Sequence, residues 1–281
     1  MFQENAKVVD HYTIASKTHL IKLHCPKIAA IIRPGQFVMI KLPGGNDPLL
    51  GRPFALYDTT LDDQGNPTGI EIVYLELGKM TSLLPTVVPG QSIEMWGPLG
   101  KPFPIFPNKD HVAFIAGGIG QTPFLAFGKQ LLGVKAYGGD SLKKSLNKVT
   151  MIYGVRSAPF LAGVDHFESI GLNLFCATDD GSQGFHGRVT ELLKTLPKAE
   201  HWYGCGPEPM LHALCKLALE DNTPCHVSLE SPMACGLGIC FSCVVKVKAE
   251  AEAEAEAEGG WDYKRICVDG PVFNAETLVL E

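Results

Sequence analysis

Short runs that alternate apolar and polar residues fill the first hundred positions. YTIAS, HLIKLHC, QFVMIKL, IEIVYLEL and SIEMWG lie between Val8 and about Phe103, separated by Pro-Gly and Gly-rich turns. A period of two buries one face of each strand, so this part predicts an antiparallel β unit, a small barrel closed near Trp96-Gly97-Pro98-Leu99-Gly100. From His111 the pattern changes. Apolar strands at 112–116, 149–155, 172–178 and 201–206 run into Gly-rich turns, and helical periods follow at about 122–132, 188–195 and 208–220. Strand and helix in alternation predict a parallel, doubly wound sheet. After Val227 the chain becomes a compact Cys-rich tail. The expected division is 1–103, 104–228 and 229–281.

At 281 residues, 46% hydrophobic and 19% charged, the chain has enough apolar surface for a sizeable core, which excludes disorder. Its longest apolar stretch, from His111 to Gly128, is broken by Gly117, Gly118, Gly120, Gln121 and Pro123 and does not read as a membrane helix. The N-terminal MFQENAKVVD has acids and no apolar core, so no signal peptide is expected and a cytoplasmic location follows. The net charge is −6, yet the Ala-Glu run at 249–258 supplies five of the 30 acids, and without them the chain stands at −1. That balance leaves no basic footprint for nucleic acid or an anionic membrane, and points to small molecules or protein partners. The run itself reads as a solvated excursion without chemistry, since neither Ala nor Glu favours strands and Gly259-Gly260 follows.

Nine cysteines are an odd number for a disulfide framework. Four of them crowd the tail: Cys235, Cys240 and Cys243 stand as C-x4-C-x2-C, with Cys267 as a distant fourth. This is the plant-type spacing for a [2Fe–2S] cluster, and Gly236 and Gly238 allow the sharp turns that aim amides at sulfur. A structural zinc site also takes four cysteines, but it pairs two C-x2-C knuckles where this chain has one. Inert packing is the other alternative. Cys25, Cys176, Cys215 and Cys225 are scattered and read as small core residues.

Two segments of the barrel suit a dinucleotide. Arg52 opens a strand in G-R-P-F-A-L-Y, where a guanidinium fork can grip a pyrophosphate and Pro53 stiffens the approach. The strand ending in V-Y-L-E-L turns at Gly78 into a short helix, whose free Met80 and Thr81 amides, with the Thr81 hydroxyl, would face the same anion. In the second half, Ala116 to Pro123 follows a strand and opens a helix, with Gly118 and Gly120 in the turn and Thr122 at its end. Pro123 replaces the third glycine of the usual dinucleotide fingerprint, so a phosphate cradle and a merely structural turn both stand. Cys205 and Gly206, in C-G-P-E-P-M, follow another strand of that sheet and would place a nicotinamide against a flavin.

With RPFAL, GKMTSLL, GGIGQTP, CGPEPM, ESPMACGLGICFSC and CVDGPVF in this order, the chain resembles ferredoxin-reductase-like electron-transfer subunits. It looks most like those of class 1B dihydroorotate dehydrogenases, over nearly its whole length. The resemblance implies an antiparallel FAD-binding β-barrel, a Rossmann-like NAD(P)-binding α/β domain and a small C-terminal [2Fe–2S] module. It implies FAD contacts from Arg52, Pro53, Phe54, Ala55, Val73, Tyr74, Leu75, Met80 and Thr81, and cluster ligation by Cys235, Cys240, Cys243 and Cys267. It further implies a dihydroorotate dehydrogenase partner carrying FMN, with electrons passing through cluster and FAD to NAD+ in pyrimidine biosynthesis. Met80 and Ala55 stand where relatives carry Gly and Ser, the Ala-Glu run lengthens the gap before Cys267, and GQTP is closer to general ferredoxin-NAD(P) reductases. An NAD(P)H:ferredoxin-type reductase subunit and a non-catalytic iron–sulfur adaptor are the alternatives. Hydrolases fall away, because the histidines form no metal pattern and there is no nucleophile elbow.

Overall fold

The computed structural model describes residues 1–44, 47–106, 108–249 and 260–279, so all of the Ala-Glu run after Ala249 lies outside the described residues. The first sheet holds β1 (Phe2–Ala15), β2 (Thr18–His24), β3 (Phe37–Lys41), β4 (Arg52–Ala55), β5 (Asp58–Leu61), β6 (Pro67–Leu75) and β7 (Ser92–Leu99), with α1 (Pro26–Ala29) and α2 (Lys79–Leu83) at its ends. Its order is β4-β3-β7-β1-β2-β6-β5, antiparallel throughout. Residues 52–61 bridge the two edges. Within that run the Leu56 amide donates to Gln36 O at 3.1 Å and the Tyr57 amide to Glu71 O at 3.0 Å, handing one stretch of chain from β3 to β6. This corrects the expectation that the segment at Trp96 closes the barrel: Trp96 sits inside β7, paired on one side with Gln3 and on the other with Met39. Pairing on both sides makes β7 a mid-sheet strand, and its alternating burial puts one face on the core.

The second sheet is β11-β10-β9-β8-β12-β13-β16, built from β8 (His111–Gly117), β9 (Lys148–Val155), β10 (Asn173–Thr178), β11 (Phe185–His186), β12 (His201–Cys205), β13 (Cys225–Ser228) and β16 (Val272–Asn274). All its pairs are parallel except β13 with β16. The expected doubly wound sheet is therefore present, with an antiparallel edge strand returned by the tail. One face is covered by α3 (Phe124–Leu131) and α4 (Val164–Ser169), where Phe114, Phe124, Phe127 and Phe167 share a core. The other carries α5 (Val189–Leu193) and α6 (Glu208–Glu220), packed on Ile115, Ile152 and Val227. The reading missed α4, β13 and β16, whose three to six residues are too short to show a period. Among the described residues no helix is long and apolar enough to cross a membrane.

The tail forms the β14 (Val244–Lys248) and β15 (Trp261–Arg265) hairpin. It is not a separate body: Cys243, Cys267, Ile266 and Met233 share a core with Phe37, Met39 and Leu99 of the barrel and Val227 of the α/β sheet. A second tie joins the barrel to α3. Asp58, 5% exposed, accepts from Lys129 at 2.5 Å, Lys135 at 2.8 Å and the Tyr137 hydroxyl at 2.7 Å.

At the opposite end of the α/β sheet, His201 Nε2 and His226 Nδ1 lie 3.0 Å apart, with Phe106 stacked on His201. Burial, with the other imidazole's charge next, pulls His201 down to about 3, and burial pulls His226 down to about 4. Both rings stay neutral in the fold and charge in the unfolded chain below its ordinary value near 6.5. The stability they contribute is whole above that value and is lost as pH falls from about 6.5 towards 4. After allowance for partial solvent access, about 2 kcal/mol should go between pH 7 and pH 5. Thermal unfolding at the two values checks this, and His226→Asn should flatten the dependence by about half, since one of the two titrating rings is gone.

Candidate functional site

The strand order of the second sheet reverses between β8 and β12, and the loops leaving these two strands meet there. In open α/β sheets this crevice is where ligands bind. Gly120 is in such close approach that a Cβ on it would stand 2.3 Å from Cys205 O and 2.6 Å from Gly206 N. Only glycine lets the two loops touch. Beyond β8 the chain makes a 3-10 turn over Gly118–Gln121, and α3 starts at Phe124 rather than at 122. The amides of this loop thus surround a turn instead of ending one helix, because Pro123 caps α3 and has no N–H to give.

A cleft of about 1280 Å³ runs from this crevice to the barrel edge. Arg52, Pro53, Phe54 and Ala55 of β4, Val73, Tyr74 and Leu75 of β6, and Gly78, Met80 and Thr81 at α2 line one side. Gly118, Gly120, Thr122, Cys205 and Gly206 line the other. Residues far apart in sequence thereby share one cavity. Arg52 is exposed, and its guanidinium donates to Leu50 O and Gly51 O at 3.0 Å, which fixes its stem while leaving further donors available. The Thr81 hydroxyl differs from expectation: it accepts from the Leu77 and Gly78 amides at 2.9 and 3.0 Å and donates to Gly78 O. It shapes the turn, and an anion there would be met by backbone amides. Burial pushes the Cys205 thiol up to about 12, with the Glu230 charge adding and the Ser228 side chain opposing, so a neutral thiol faces the cleft.

Arg156, Asp179 and Arg188 also line the cleft and were missed by sequence reasoning. Their signal was a charged residue placed just past β9, just past β10 and just before α5, which looks the same as a solvated loop. Glu230, Met233 and Pro271 bring the tail to the cleft wall. Met233 also belongs to the core that holds Cys243 and Cys267, so the cleft and the thiol loop share a wall. In the Gly118–Gln121 turn, the fully buried Gln121 carboxamide has no hydrogen-bond partner among the described residues on either atom.

The four tail cysteines are arranged as two pairs. Cys235 Sγ and Cys240 Sγ lie 3.3 Å apart, and the Cys267 thiol interacts with Cys243. Among the described residues no three His, Cys, Asp or Glu side chains converge where a single metal ion could sit. Two pairs suit a two-iron cluster, in which each iron takes two thiolates, better than one tetrahedral zinc. The loop is built for anionic sulfur. Gly236 and Gly238 adopt φ of +70° and +77°, and the Leu237 amide donates to Cys235 Sγ at 3.2 Å. Burial opposes ionisation of Cys235, yet amides of Cys240, Leu237 and Ile239 bring it down to about 6. Burial first, then Cys243, pushes Cys267 up to about 12. Four neighbouring thiols cannot all ionise unaided, and a polycation at their centre removes that conflict. Cys25, Cys215 and Cys225 are buried as expected, whereas Cys176 is half-buried, on a strand whose face is only partly covered.

Comparison with known proteins bears on the same segments. Residues 5–103 match the oxidoreductase FAD-binding domain, and residues 230–279 match the iron–sulfur cluster binding domain of dihydroorotate dehydrogenase B. The fold is similar to a structure described as the NADH-dependent reduced ferredoxin-NADP oxidoreductase, with a TM-score of 0.78, 28% identity, and 98% of this chain and 90% of that chain covered. The ferredoxin reductase in carbazole 1,9a-dioxygenase shares the fold at a TM-score of 0.64 and 22% identity, over 80% of this chain and 68% of that one. These define a flavin and iron–sulfur oxidoreductase with the ferredoxin reductase fold.

Two curated relatives narrow this further. The chain is 35% identical to the dihydroorotate dehydrogenase B (NAD(+)) electron transfer subunit of Geobacillus kaustophilus, over 99% of both chains. It is 34% identical to that of Desulforamulus reducens, over 99% of this chain and 98% of the relative. The chain belongs to the family of dihydroorotate dehydrogenase B electron transfer subunits.

Proposed function

We propose that this chain carries electrons between an FMN-bearing dihydroorotate dehydrogenase and NAD+ in the cytoplasm, with three segments, 1–103, 104–228 and 229–281, each holding one redox group. The observation that carries the reading is the single cleft that gathers both nucleotide half-sites and has Met233 and Pro271 of the cluster segment in its wall. In this reading Arg52, Pro53, Phe54, Ala55, Val73, Tyr74, Leu75, Gly78, Met80 and Thr81 hold FAD. Gly118, Gly120, Thr122, Cys205 and Gly206 receive the nicotinamide nucleotide, and Cys235, Cys240, Cys243 and Cys267 hold the [2Fe–2S] cluster. When bound, these groups convert two-electron hydride chemistry into one-electron steps. The protein orients them.

Arg52 offers a fixed cation to a pyrophosphate, and the Gly120–Cys205 contact keeps the nicotinamide side of the cleft shallow. The neutral Cys205 thiol adds no negative charge that would favour the cationic, oxidised ring over the neutral, reduced one. Around the exposed Cys240, Leu237, Ile239, Phe241 and Val268 form an apolar collar with exposures of 38, 77, 61 and 37%. Such a collar suits an apolar partner face and would exclude water from the electron path. The second reading, a subunit serving a ferredoxin-type partner, draws on the 28% identity to the ferredoxin-NADP oxidoreductase.

Purification of the chain with whatever associates with it separates the two. The first reading expects an FMN protein in the complex and NADH formation that depends on dihydroorotate. A complex lacking such a chain, or one that turns over dihydroorotate with no NADH, overturns it.

A further inference from the structure

Arg265 lies at the end of β15, two residues before Cys267, and its side chain turns back across the thiol loop. Its Nε donates to Asp269 Oδ2 at 3.2 Å, and one terminal nitrogen donates to Gly238 O at 3.1 Å. The guanidinium carbon stands 5.3 Å from the centre of the Phe241 ring, a residue held at φ +53°. A non-glycine residue accepts that backbone only where its surroundings over-determine it. Both charged partners are less than a third exposed, and Asp269 also feels the charge of Lys101. The loop is therefore held at two neighbouring points: the Gly238 carbonyl lies on Arg265, and the Leu237 amide donates to Cys235 Sγ at 3.2 Å. A cation on that carbonyl fixes the turn that presents the Leu237 amide to sulfur and brings positive charge to the thiol loop.

We infer that Asp269, Arg265 and the Gly238 carbonyl form a relay onto the loop of Cys235, in which Arg265 is a positioning residue that sets the reduction potential of the cluster. The inference rests on the assignment of Cys235 as a cluster ligand. The guanidinium strengthens the amide-to-sulfur hydrogen bond and adds positive charge, and both favour the reduced, more negative cluster. Asp269 tempers the charge and aims the fork. Sulfur ligands are tuned by such outer partners as much as by the ligands themselves.

The test is an EPR-monitored redox titration of the full-length, cluster-loaded protein. Arg265→Met should lower the midpoint so that the cluster is about tenfold harder to reduce, 59 mV for one electron. Arg265→Lys, which restores charge without the fork, should recover part of the shift but keep an altered line shape. Asp269→Asn should move the midpoint the other way. A wild-type midpoint and line shape in Arg265→Met with full iron overturns the relay. If that variant loses iron, Asp269→Asn decides, and an unchanged midpoint there overturns it too. Wild-type protein without iron, or Cys235→Ser with full iron and a wild-type spectrum, refutes the ligand assignment instead.

Discussion

Cys235→Ser is expected to abolish the cluster and leave the flavin in place. The Leu237 amide donates to the Cys235 sulfur at 3.2 Å, and the amides of its own loop bring the thiol down to about 6 against the effect of burial. A serine hydroxyl is not ionised at neutral pH and is a poor ligand for iron. Its partner Cys240 is exposed, so the half-site loses its anchored donor and keeps only its exposed one. Cys243 and Cys267 remain buried in the shared core and cannot hold two irons alone. The residues proposed to hold FAD line the cleft and not this loop, so flavin absorbance should stay at wild-type strength. NADH should still reduce a soluble dye, while delivery of electrons to or from the partner falls to background. Iron analysis, the visible spectrum and the two assays check this together. Retained iron would mean that the loop does not hold the cluster, and lost dye reduction would mean that cluster and flavin sites are one folding unit.

Local chemistry was legible in the sequence where a few adjacent residues state it. The C-x4-C-x2-C spacing, the turn at Gly78 and the glycines of the nucleotide loop each announce a backbone shape, and the fold class followed from the change of period at His111. Residues as distant as Arg52 and Gly206 line one cleft because two sheets, each readable alone, contribute its walls. What was not legible depends on contacts across long stretches of chain. Arg156, Asp179 and Arg188 look like loop charges until β9 and β10 aim them at the cleft. Thr81 looks like an anion donor until its hydroxyl is seen to cap Leu77 and Gly78. The return of β16 to the α/β sheet needs Val227 opposite Phe273, a pairing no local pattern encodes. Arg265 reads as one more basic residue until Gly238, 27 positions earlier, lies under it.

Asp58 is the strongest case of this kind, and its loss is expected to carry the largest stability cost. Burial opposes its charge, but Lys135 and Lys129 outweigh burial and hold the carboxyl below its ordinary range. Lys135 shows the strain on the other side, since burial drags its ammonium below the usual lysine range despite the Asp58 charge. We weigh the carboxylate more heavily, because two cations and the Tyr137 hydroxyl serve it. Asp58→Ala removes the common acceptor and leaves Lys135 largely buried without its anion. Breaking a buried pair in this way costs about 3–5 kcal/mol. For a chain of this size that lowers the unfolding midpoint by roughly 10 °C. Asp58→Asn, which still accepts from Tyr137, should cost less. The sign of the pH effect follows from a depressed carboxyl: its contribution is whole above the ordinary aspartate value and disappears as pH falls below it, so wild type and Asp58→Ala should converge in stability towards pH 3. Function should suffer at neutral pH as well, because Asp58 is on barrel strand β5 and Lys129 is on α3, directly after the nucleotide loop. Loosening that tie lets the two walls of the cleft move independently, and NADH-to-dye turnover should fall even at temperatures where the variant is fully folded. A variant as stable as wild type at pH 7, measured by thermal and urea unfolding, would show that the apolar core and not this ion cluster fixes the barrel on the α/β sheet.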